Sequence, residues 1–244
     1  MRALRICVLY AFVLLATAAC TSVPPNFEEI VRSTDRADAD RSLDQRRKPE
    51  QLLAFYDVRP GMRVMDVSAG RGYNTELLAR AVGSTGQVYA QNSPSMPEAA
   101  RTAMEERLKK PVMSNVTHVL REFNEPVPPT VRDLDLITFN FNYHDTVYMG
   151  VDRARMNRAL FDGLKPGGIL IIADHSAKPG AGLEVTKSLH RIDEAVVKKE
   201  LEAAGFRLIN TADFLRNPRD PRDVPVFKND VPNDEFVLKF VKPR

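Results

Sequence analysis

The chain has 244 residues, 43% of them hydrophobic, and its 35 Lys and Arg residues slightly outnumber its 32 Asp and Glu residues. This length is sufficient for one large domain with a buried core. Arg2 and Arg5 fall within the first 19 positions, so the remainder of the chain is nearly neutral. A near-neutral domain offers no electrostatic basis for binding nucleic acid, which is a polyanion.

The first residues have the composition of a targeting segment. Arg2 and Arg5 precede an apolar stretch over residues 6–16, and small residues then lead to Cys20. This order is typical of a signal peptide, and the apolar stretch is short for a bilayer span. We therefore expect a signal peptide over 1–19, a tether over 20–26, and export to the bacterial periplasm.

The end of this segment, Leu15 to Cys20, resembles a bacterial lipobox, in which the cysteine becomes the acylated first residue. The resemblance implies a lipoprotein held at a membrane by its N terminus. Ordinary signal cleavage near Ala18 and an uncleaved anchor are the alternatives. Cys7 is the other cysteine of the chain, so residues 21–244 contain no disulfide and no thiolate nucleophile.

An N-terminal helical cap is predicted over residues 27–56, with helices at 27–33 and 49–56. Charged residues recur every three positions between these helices. They are Arg32, Asp35, Asp38, Arg41, Asp44 and Arg47. We prefer a charged helical surface with ion pairs as the interpretation of this repeat, over a substrate clamp.

Strands and helices alternate from residue 57 to residue 244. The predicted strands are 64–67, 87–90, 115–120, 135–139, 169–173, 206–209 and 236–241. The predicted helices are 74–82, 97–110, 152–164 and 192–204. This alternation predicts an α/β fold with a doubly wound parallel sheet.

A small-residue turn follows the first of these strands. The strand ends in Asp66-Val67, and the turn Ser68-Ala69-Gly70-Arg71-Gly72 leads into a helix. Glycine lets a ligand approach the backbone closely, and a helix start favours nucleotide-like ligands. The NAD fingerprint requires a further glycine at position 75, where this chain has Thr75. An oxidoreductase that uses a dinucleotide is therefore disfavoured.

These residues resemble motif I of the class I S-adenosylmethionine-dependent methyltransferases, with Ser68 in place of the first glycine. Lys165-Pro166-Gly167-Gly168 before an apolar strand is a second resemblance to that family. The resemblance covers about residues 50–241. It implies a Rossmann-like sheet of seven strands in the order 3-2-1-4-5-7-6, with the last strand antiparallel. It also implies S-adenosylmethionine as the cofactor.

The resemblance further implies cofactor contacts at Asp66, Ser68, Gly70 and Gly72, with Asp66 organising the loop and facing the cofactor's ammonium. The family carries an acid after the second strand that binds the ribose hydroxyls, and Asn92 stands there instead. An amide cannot match a bidentate carboxylate, so Asn92→Asp is expected to tighten cofactor binding. Gly72→Val is expected to abolish that binding while leaving the fold intact.

After the third strand, Glu122 and Phe123 stand where the family contacts adenine. The resemblance implies that Glu122 accepts a hydrogen bond from the adenine amino group and that Phe123 stacks on the ring. A solvated loop is the alternative. After the fourth strand, Asn140 and Tyr143 resemble the outer positions of the Asp/Asn-Pro-Pro-Tyr motif of amino-methylating enzymes, although both prolines are missing.

Three histidines are the candidate catalytic residues. His144 and His175 follow predicted strands, and His190 precedes a helix. The carboxyl ends of parallel strands line one crevice, so the three are expected to meet. One role is a general base, His144 first, oriented by Asp145 or Asp174. The alternatives are hydrogen bonds to loop backbone or a metal site, and no His-x-x-x-His spacing supports a metal.

Together these features predict an S-adenosylmethionine-dependent methyltransferase that acts on a small-molecule acceptor. The alternative is an exported, non-catalytic ligand-binding protein that retains the methyltransferase fold. The substitution at Asn92 and the predicted export favour the alternative, whereas the glycine turn and the histidines favour the enzyme. The identity of the acceptor and the oligomeric state stay open.

Overall fold

The computed structural model describes residues 23–244. The predicted signal peptide and Cys20 lie outside the described residues, so export and lipid attachment stay predictions. Within residues 23–244, no helix combines the length and the apolar character needed to cross a membrane.

Seven strands of the described chain form one sheet. They are β1 (Arg63–Val67), β2 (Gln87–Asn92), β3 (Val116–Leu120), β4 (Leu134–Asn140), β5 (Leu164–His175), β6 (Arg207–Ala212) and β7 (Glu235–Val241). Their order is β3-β2-β1-β4-β5-β7-β6, and β7 is antiparallel to both of its neighbours. The predicted fold class and strand order are confirmed.

Helices cover both faces of this sheet. They are α1 (Phe27–Val31), α2 (Asp38–Arg47), α3 (Pro49–Tyr56), α4 (Tyr73–Val82), α5 (Glu98–Leu108), α6 (Asp145–Tyr148), α7 (Arg153–Gly163), α8 (Thr186–Leu189) and α9 (Glu194–Ala203). The short helices α6 and α8 were not predicted from the sequence. They flank the loops that carry His144 and His190.

Two hydrophobic cores lie on opposite faces of the sheet because successive strand residues point to opposite sides. Val64 and Leu136 pack with α3 and α4 in one core. Met65 and Ile137 pack with α7 and α9 in the other. This double burial explains why the central strands have nearly continuous apolar sequences.

The Lys-Pro-Gly-Gly segment differs from its prediction. The sequence predicted that a helix ends at residue 164 and that the strand begins at residue 169, whereas β5 already begins at Leu164, which pairs with Leu134. The register then shifts before Ile169 pairs with Leu136. Gly168 permits this irregularity, since a Cβ at that position would lie 2.9 Å from the carbonyl oxygen of Leu134.

The N-terminal cap is attached to the sheet domain through ion pairs. Nη1 of Arg107 lies 2.6 Å from Oδ2 of Asp40 and 2.5 Å from Oε2 of Glu76. Nη2 of Arg80 lies 2.8 Å from Oδ2 of Asp35 and from Oε1 of Glu76. The predicted ion pairs are confirmed, but several of them join the cap to α4 and α5 rather than staying within one helix surface.

Candidate functional site

The glycine loop after β1 is held by the end of β2. Ser68 and Gly70 both have φ of +57°, in the left-handed region, so serine occupies a conformation that favours glycine. The Ser68 N–H donates to Oε1 of Gln91 at 3.0 Å, and the Gly70 N–H donates to Oδ1 of Asn92 at 2.7 Å. Two amide side chains of β2 therefore fix the loop.

Gly70 and Gly72 have different roles. A Cβ at Gly70 would have only the carbonyl oxygen of Ser68 near it, at 4.0 Å, so the space above Gly70 is open to a ligand. A Cβ at Gly72 would lie 2.8 Å from Cδ of Arg107 and from Sδ of Met104. Gly72 thus allows α5 to pack closely, so the expectation that Gly72→Val leaves the fold intact is wrong, while a cofactor contact at Gly72 stays a prediction.

Gly72→Val is accordingly expected to destabilise the fold by about 2–4 kcal/mol, through overpacking and a left-handed backbone that a branched side chain resists. Urea unfolding measures this. Gly150→Val is the matched control, since Gly150 also has positive φ but a Cβ there would meet nothing within 4 Å. Equal losses in the two variants would contradict the packing role of Gly72.

Both polar atoms of the Asn92 side-chain amide form hydrogen bonds with the glycine loop. In addition to accepting from the Gly70 N–H, its Nδ2 donates to the Gly70 carbonyl at 3.1 Å and lies 3.2 Å from Nε2 of His118. An aspartate would lose this donor and would repel the Gly70 carbonyl. The expectation that Asn92→Asp tightens cofactor binding is therefore reversed.

Asp66 organises the start of α4. Its buried carboxylate accepts hydrogen bonds from Asn74, Thr75 and Thr138 at 2.7–2.8 Å. Burial raises the pKa of Asp66, and the three donors partly oppose this shift. These contacts agree with the loop-organising role, while an ammonium contact stays a prediction.

The residues predicted to contact adenine are placed differently from one another. Phe123 is buried and stacks on Phe139, with ring centroids 6.0 Å apart, so it belongs to the core and not to a ligand surface. Glu122 is exposed, and its Oε2 lies 3.3 Å from Oγ of Ser93. The stacking role of Phe123 is therefore corrected, while the adenine contact of Glu122 stays a prediction.

Asn140 ends β4 beside the loop. Its Nδ2 donates to the hydroxyl of Tyr56 at 2.8 Å. Its Oδ1 is buried and has no hydrogen-bond partner among residues 23–244. A buried acceptor without a partner is uncommon in proteins, and it leaves Asn140 available to a ligand donor.

The three histidines lie together, as the sequence predicted. The ring of His144 is 5.7 Å from that of His175 and 5.5 Å from that of His190. His118 is separate, on β3 beside Asn92. The histidine cluster, defined as His144, His175 and His190, follows the carboxyl ends of β4 and β5.

His144 is held between two carboxylates. Its Nδ1 lies 2.7 Å from Oδ1 of Asp174, and its Nε2 lies 2.9 Å from Oδ1 of Asp145. Burial lowers the pKa of His144, but the two carboxylates outweigh burial and raise the pKa to about 10. His144 is therefore a cation at neutral pH, which disfavours its predicted role as general base.

Asp145 connects this cluster to the glycine loop. Its Oδ1 lies 3.3 Å from Nδ1 of His190 and accepts from the hydroxyl of Tyr148 at 2.5 Å. Its Oδ2 accepts from Nδ2 of Asn142 at 2.6 Å, and Oδ1 of Asn142 accepts from Oγ of Ser68 at 2.7 Å. Asn142 had no predicted role, although its place just after β4 was the available signal.

Arg47 is a second candidate site residue to which the sequence interpretation gave no individual role. It ends α2, and its guanidinium carbon lies 4.3 Å from the ring centroid of Phe141 and 6.0 Å from that of Tyr73. Within the described part of the chain it forms no hydrogen bond or ion pair, and its Nε is buried. Burial lowers the pKa of Arg47, and this half-buried cation has no carboxylate at ion-pair distance among residues 23–244.

Comparison with known proteins identifies the family of this chain. Residues 47–206 match the family model of protein-L-isoaspartate(D-aspartate) O-methyltransferase (PCMT). A protein-L-isoaspartate O-methyltransferase of Ignicoccus hospitalis is 28% identical over 156 residues, or 64% of this chain and 65% of that protein. A ubiquinone/menaquinone biosynthesis C-methyltransferase UbiE of Ectopseudomonas mendocina is 31% identical over 160 residues, or 65% of this chain and 57% of that protein. The chain thus spans less than two thirds of the length of these relatives.

Solved structures show the same fold. A SAM-dependent methyltransferase from Aquifex aeolicus is 22% identical, with a TM-score of 0.61 over 89% of this chain and 98% of that one. The [4+2]-cyclase SpnF is 16% identical, with a TM-score of 0.60 over 84% of this chain and 81% of that one. At these identities the likeness shows the fold alone.

The family match carries more weight than these likenesses because it covers well over half of the chain. The matched residues 47–206 include the glycine loop, the two amide side chains at the end of β2, and all three residues of the histidine cluster. The open space above Gly70 is compatible with a nucleotide-like ligand. The chain therefore belongs to the PCMT family of class I methyltransferases, whose cofactor is S-adenosylmethionine.

Proposed function

We propose that this protein transfers the methyl group of S-adenosylmethionine to a small-molecule acceptor. The acceptor binds at the carboxyl ends of β1, β4 and β5. The observation that carries this proposal is the hydrogen-bonded chain from Ser68 through Asn142 to Asp145, which joins the open glycine loop to the histidine cluster. Such a connection supports a cofactor site beside an acceptor site, the arrangement that a direct displacement requires.

Arg47 supplies the anion-binding group of the cofactor site. When bound, the cofactor supplies an activated methyl group on its sulfonium and a carboxylate at its amino-acid end. A desolvated guanidinium without an anion is unfavourable, and a carboxylate relieves it through charge-assisted hydrogen bonds. The free Oδ1 of Asn140, one residue before Phe141, suits the ammonium of the same amino-acid end.

The histidine cluster prepares the acceptor. His144 is held rigidly between the carboxylates of Asp174 and Asp145, so it orients the acceptor through fixed hydrogen-bonding groups and not through a net positive charge. His175 remains to take the proton, and its Nδ1 lies 3.0 Å from Oε1 of Glu235, although the contact lacks hydrogen-bond geometry. His175 also lies between Phe141 and His144, with ring centroids 5.4 and 5.7 Å away.

A non-catalytic binding protein is the second candidate function. The observation that favours it is the engagement of Asn92 with Gly70, which leaves no carboxylate of β2 for the ribose hydroxyls. Such a protein would bind the cofactor or its demethylated product without turning it over. Binding and turnover must therefore be measured separately.

Calorimetry with S-adenosylmethionine and with its demethylated product tests the proposal. The wild-type protein is expected to bind both. Asn92→Asp is expected to weaken binding by about 5- to 100-fold, because the Gly70 carbonyl loses the hydrogen bond that the Asn92 amide donates. Asn210→Asp is the control, since Asn210 is exposed on β6. Failure of the wild type to bind either compound at millimolar concentration would contradict the proposal. Binding without methyl transfer to any compound of an acceptor screen would support the second candidate.

A further inference from the structure

We propose that His144, Asp145 and His190 form a binding site for a first-row divalent metal ion such as Zn²⁺. The three ligand atoms are Nε2 of His144, Oδ1 of Asp145 and Nδ1 of His190, which all lie within 4.8 Å of one another. Two imidazole nitrogens and one carboxylate oxygen are a ligand set that zinc and iron accept in enzymes. The residues are not at metal-ligand spacing in the sequence, so only the fold brings them together.

Two of the three ligand–ligand distances are close to those of a metal-bound set. Oδ1 of Asp145 lies 2.9 Å from Nε2 of His144 and 3.3 Å from Nδ1 of His190. Ligands that bind zinc tetrahedrally at about 2.0–2.1 Å are separated from one another by about 3.3 Å. The two distances to Oδ1 of Asp145 are close to this value, and a bound ion would draw together the two imidazole nitrogens, which lie within 4.8 Å of each other.

The surrounding residues orient the ligands. Asp174, which is fully buried, accepts from the His144 backbone N–H at 2.8 Å and lies 2.7 Å from Nδ1 of the same histidine. A carboxylate on the far nitrogen of a metal-binding histidine is the usual orienting contact in metal sites. It directs Nε2 of His144 towards Asp145. Asn142 fixes the other oxygen of Asp145.

The site also has an accessible side. His190 and Asp145 retain 27% and 18% side-chain exposure, whereas His144 retains 3%. His190 is the C-terminal cap of α8 with a φ of +53°, and its Nδ1 lies 3.3 Å from Oδ1 of Asp145. Three protein ligands with one open side are typical of catalytic metal sites, which keep a position for water or substrate.

The bound ion has a clear use in the reaction. Loading replaces the proton on Nε2 of His144, and that proton leaves to solvent. The ion then takes over the positive charge at this point and binds an acceptor oxygen, a hydroxyl or a carboxylate, in its open position. Coordination lowers the pKa of such a hydroxyl and releases its proton to His175. This use rests on the proposed methyl transfer, whereas metal binding itself does not.

The test is calorimetry and elemental analysis with Zn²⁺ alone, on the full chain after treatment with a chelator. The expected result is about one Zn²⁺ per chain. Asp145→Ala and His190→Ala are each expected to weaken binding by more than about 100-fold, and Asp174→Asn by about 10- to 100-fold. His118→Ala, which removes a histidine outside the site, is the matched control and should bind as the wild type does.

Absence of Zn²⁺ binding at millimolar concentration, or binding that survives both ligand substitutions, would overturn the inference. Circular dichroism shows whether each variant is folded. The Co²⁺-loaded wild type gives a second measurement, because its visible absorption bands must change in His190→Ala if that nitrogen is a ligand. Cofactor calorimetry separates the two proposals. Cofactor binding without Zn²⁺ binding contradicts the metal site alone, and the reverse result contradicts only the methyltransferase proposal.

Discussion

Glu76→Gln is expected to lower the free energy of unfolding by about 3–5 kcal/mol, the usual cost of removing one partner from a buried ion network. The Glu76 side chain is 1% exposed and lies 2.5–3.0 Å from the cationic groups of Arg80, Arg107 and Lys110. A neutral amide leaves these three cations without their shared anion. Urea unfolding at neutral pH measures the loss.

The same network predicts a loss of stability in acid. Burial raises the pKa of Glu76, but its hydrogen bonds and charges with Arg80, Lys110 and Arg107 outweigh burial and lower the pKa. A depressed pKa in the folded state stabilises the protein above the unfolded value of about 4.3, and this contribution disappears as the pH falls through the folded pKa. Glu76→Gln should therefore show a weaker pH dependence than the wild type below about pH 4.

Glu106→Gln is the matched control, because Glu106 is 64% exposed and pairs with Lys109 on the surface of α5. Glu106→Gln should change the free energy of unfolding by no more than about 0.5 kcal/mol. If both substitutions lower the free energy of unfolding equally, the buried network does not hold the cap to the domain. The network matters for the proposed function because it also holds α2, the helix that ends in Arg47. Arg80 pairs with Asp35, which precedes α2, and Arg107 pairs with Asp40 in the first turn of α2.

The sheet could be predicted from the sequence because its signals are local. The apolar run of β4 and the glycine turn after β1 each reflect constraints within a few residues, and the family resemblance supplied the strand order. The bulged start of β5 escaped prediction, since it depends on how closely Gly168 approaches Leu134, a residue of another strand.

The candidate site was predicted less completely than the fold. The meeting of the histidines followed from topology, because the ends of parallel strands share one edge. The protonation of His144 could not be predicted from topology, because it depends on the positions of Asp174 and Asp145 around the imidazole ring. Phe123 and Gly72 were assigned to the ligand by motif position, which does not indicate their contacts with Phe139 and with α5. Arg47 was not singled out because it belongs to the charged repeat of the cap, whose other members mostly form ion pairs.

Arg47→Met is expected to weaken S-adenosylmethionine binding by about 10- to 150-fold, the equivalent of 1.5–3 kcal/mol for a hydrogen bond to a charged group. Methionine preserves contact with the rings of Phe141 and Tyr73 but cannot bind an anion. The unliganded variant should be at least as stable as the wild type, because it no longer desolvates a cation without an anion. Calorimetry and thermal unfolding measure the two effects.

The opposite directions of these two effects distinguish ligand binding from a structural role. Arg46→Met is the matched control, since it removes the same charge from the neighbouring, exposed position. Decarboxylated S-adenosylmethionine is the matched ligand, and its affinity should be the same in the wild type and in Arg47→Met because it lacks the group that Arg47 binds. If Arg47→Met weakens both ligands equally, or lowers stability along with affinity, the arginine supports the fold and a different group must hold the carboxylate.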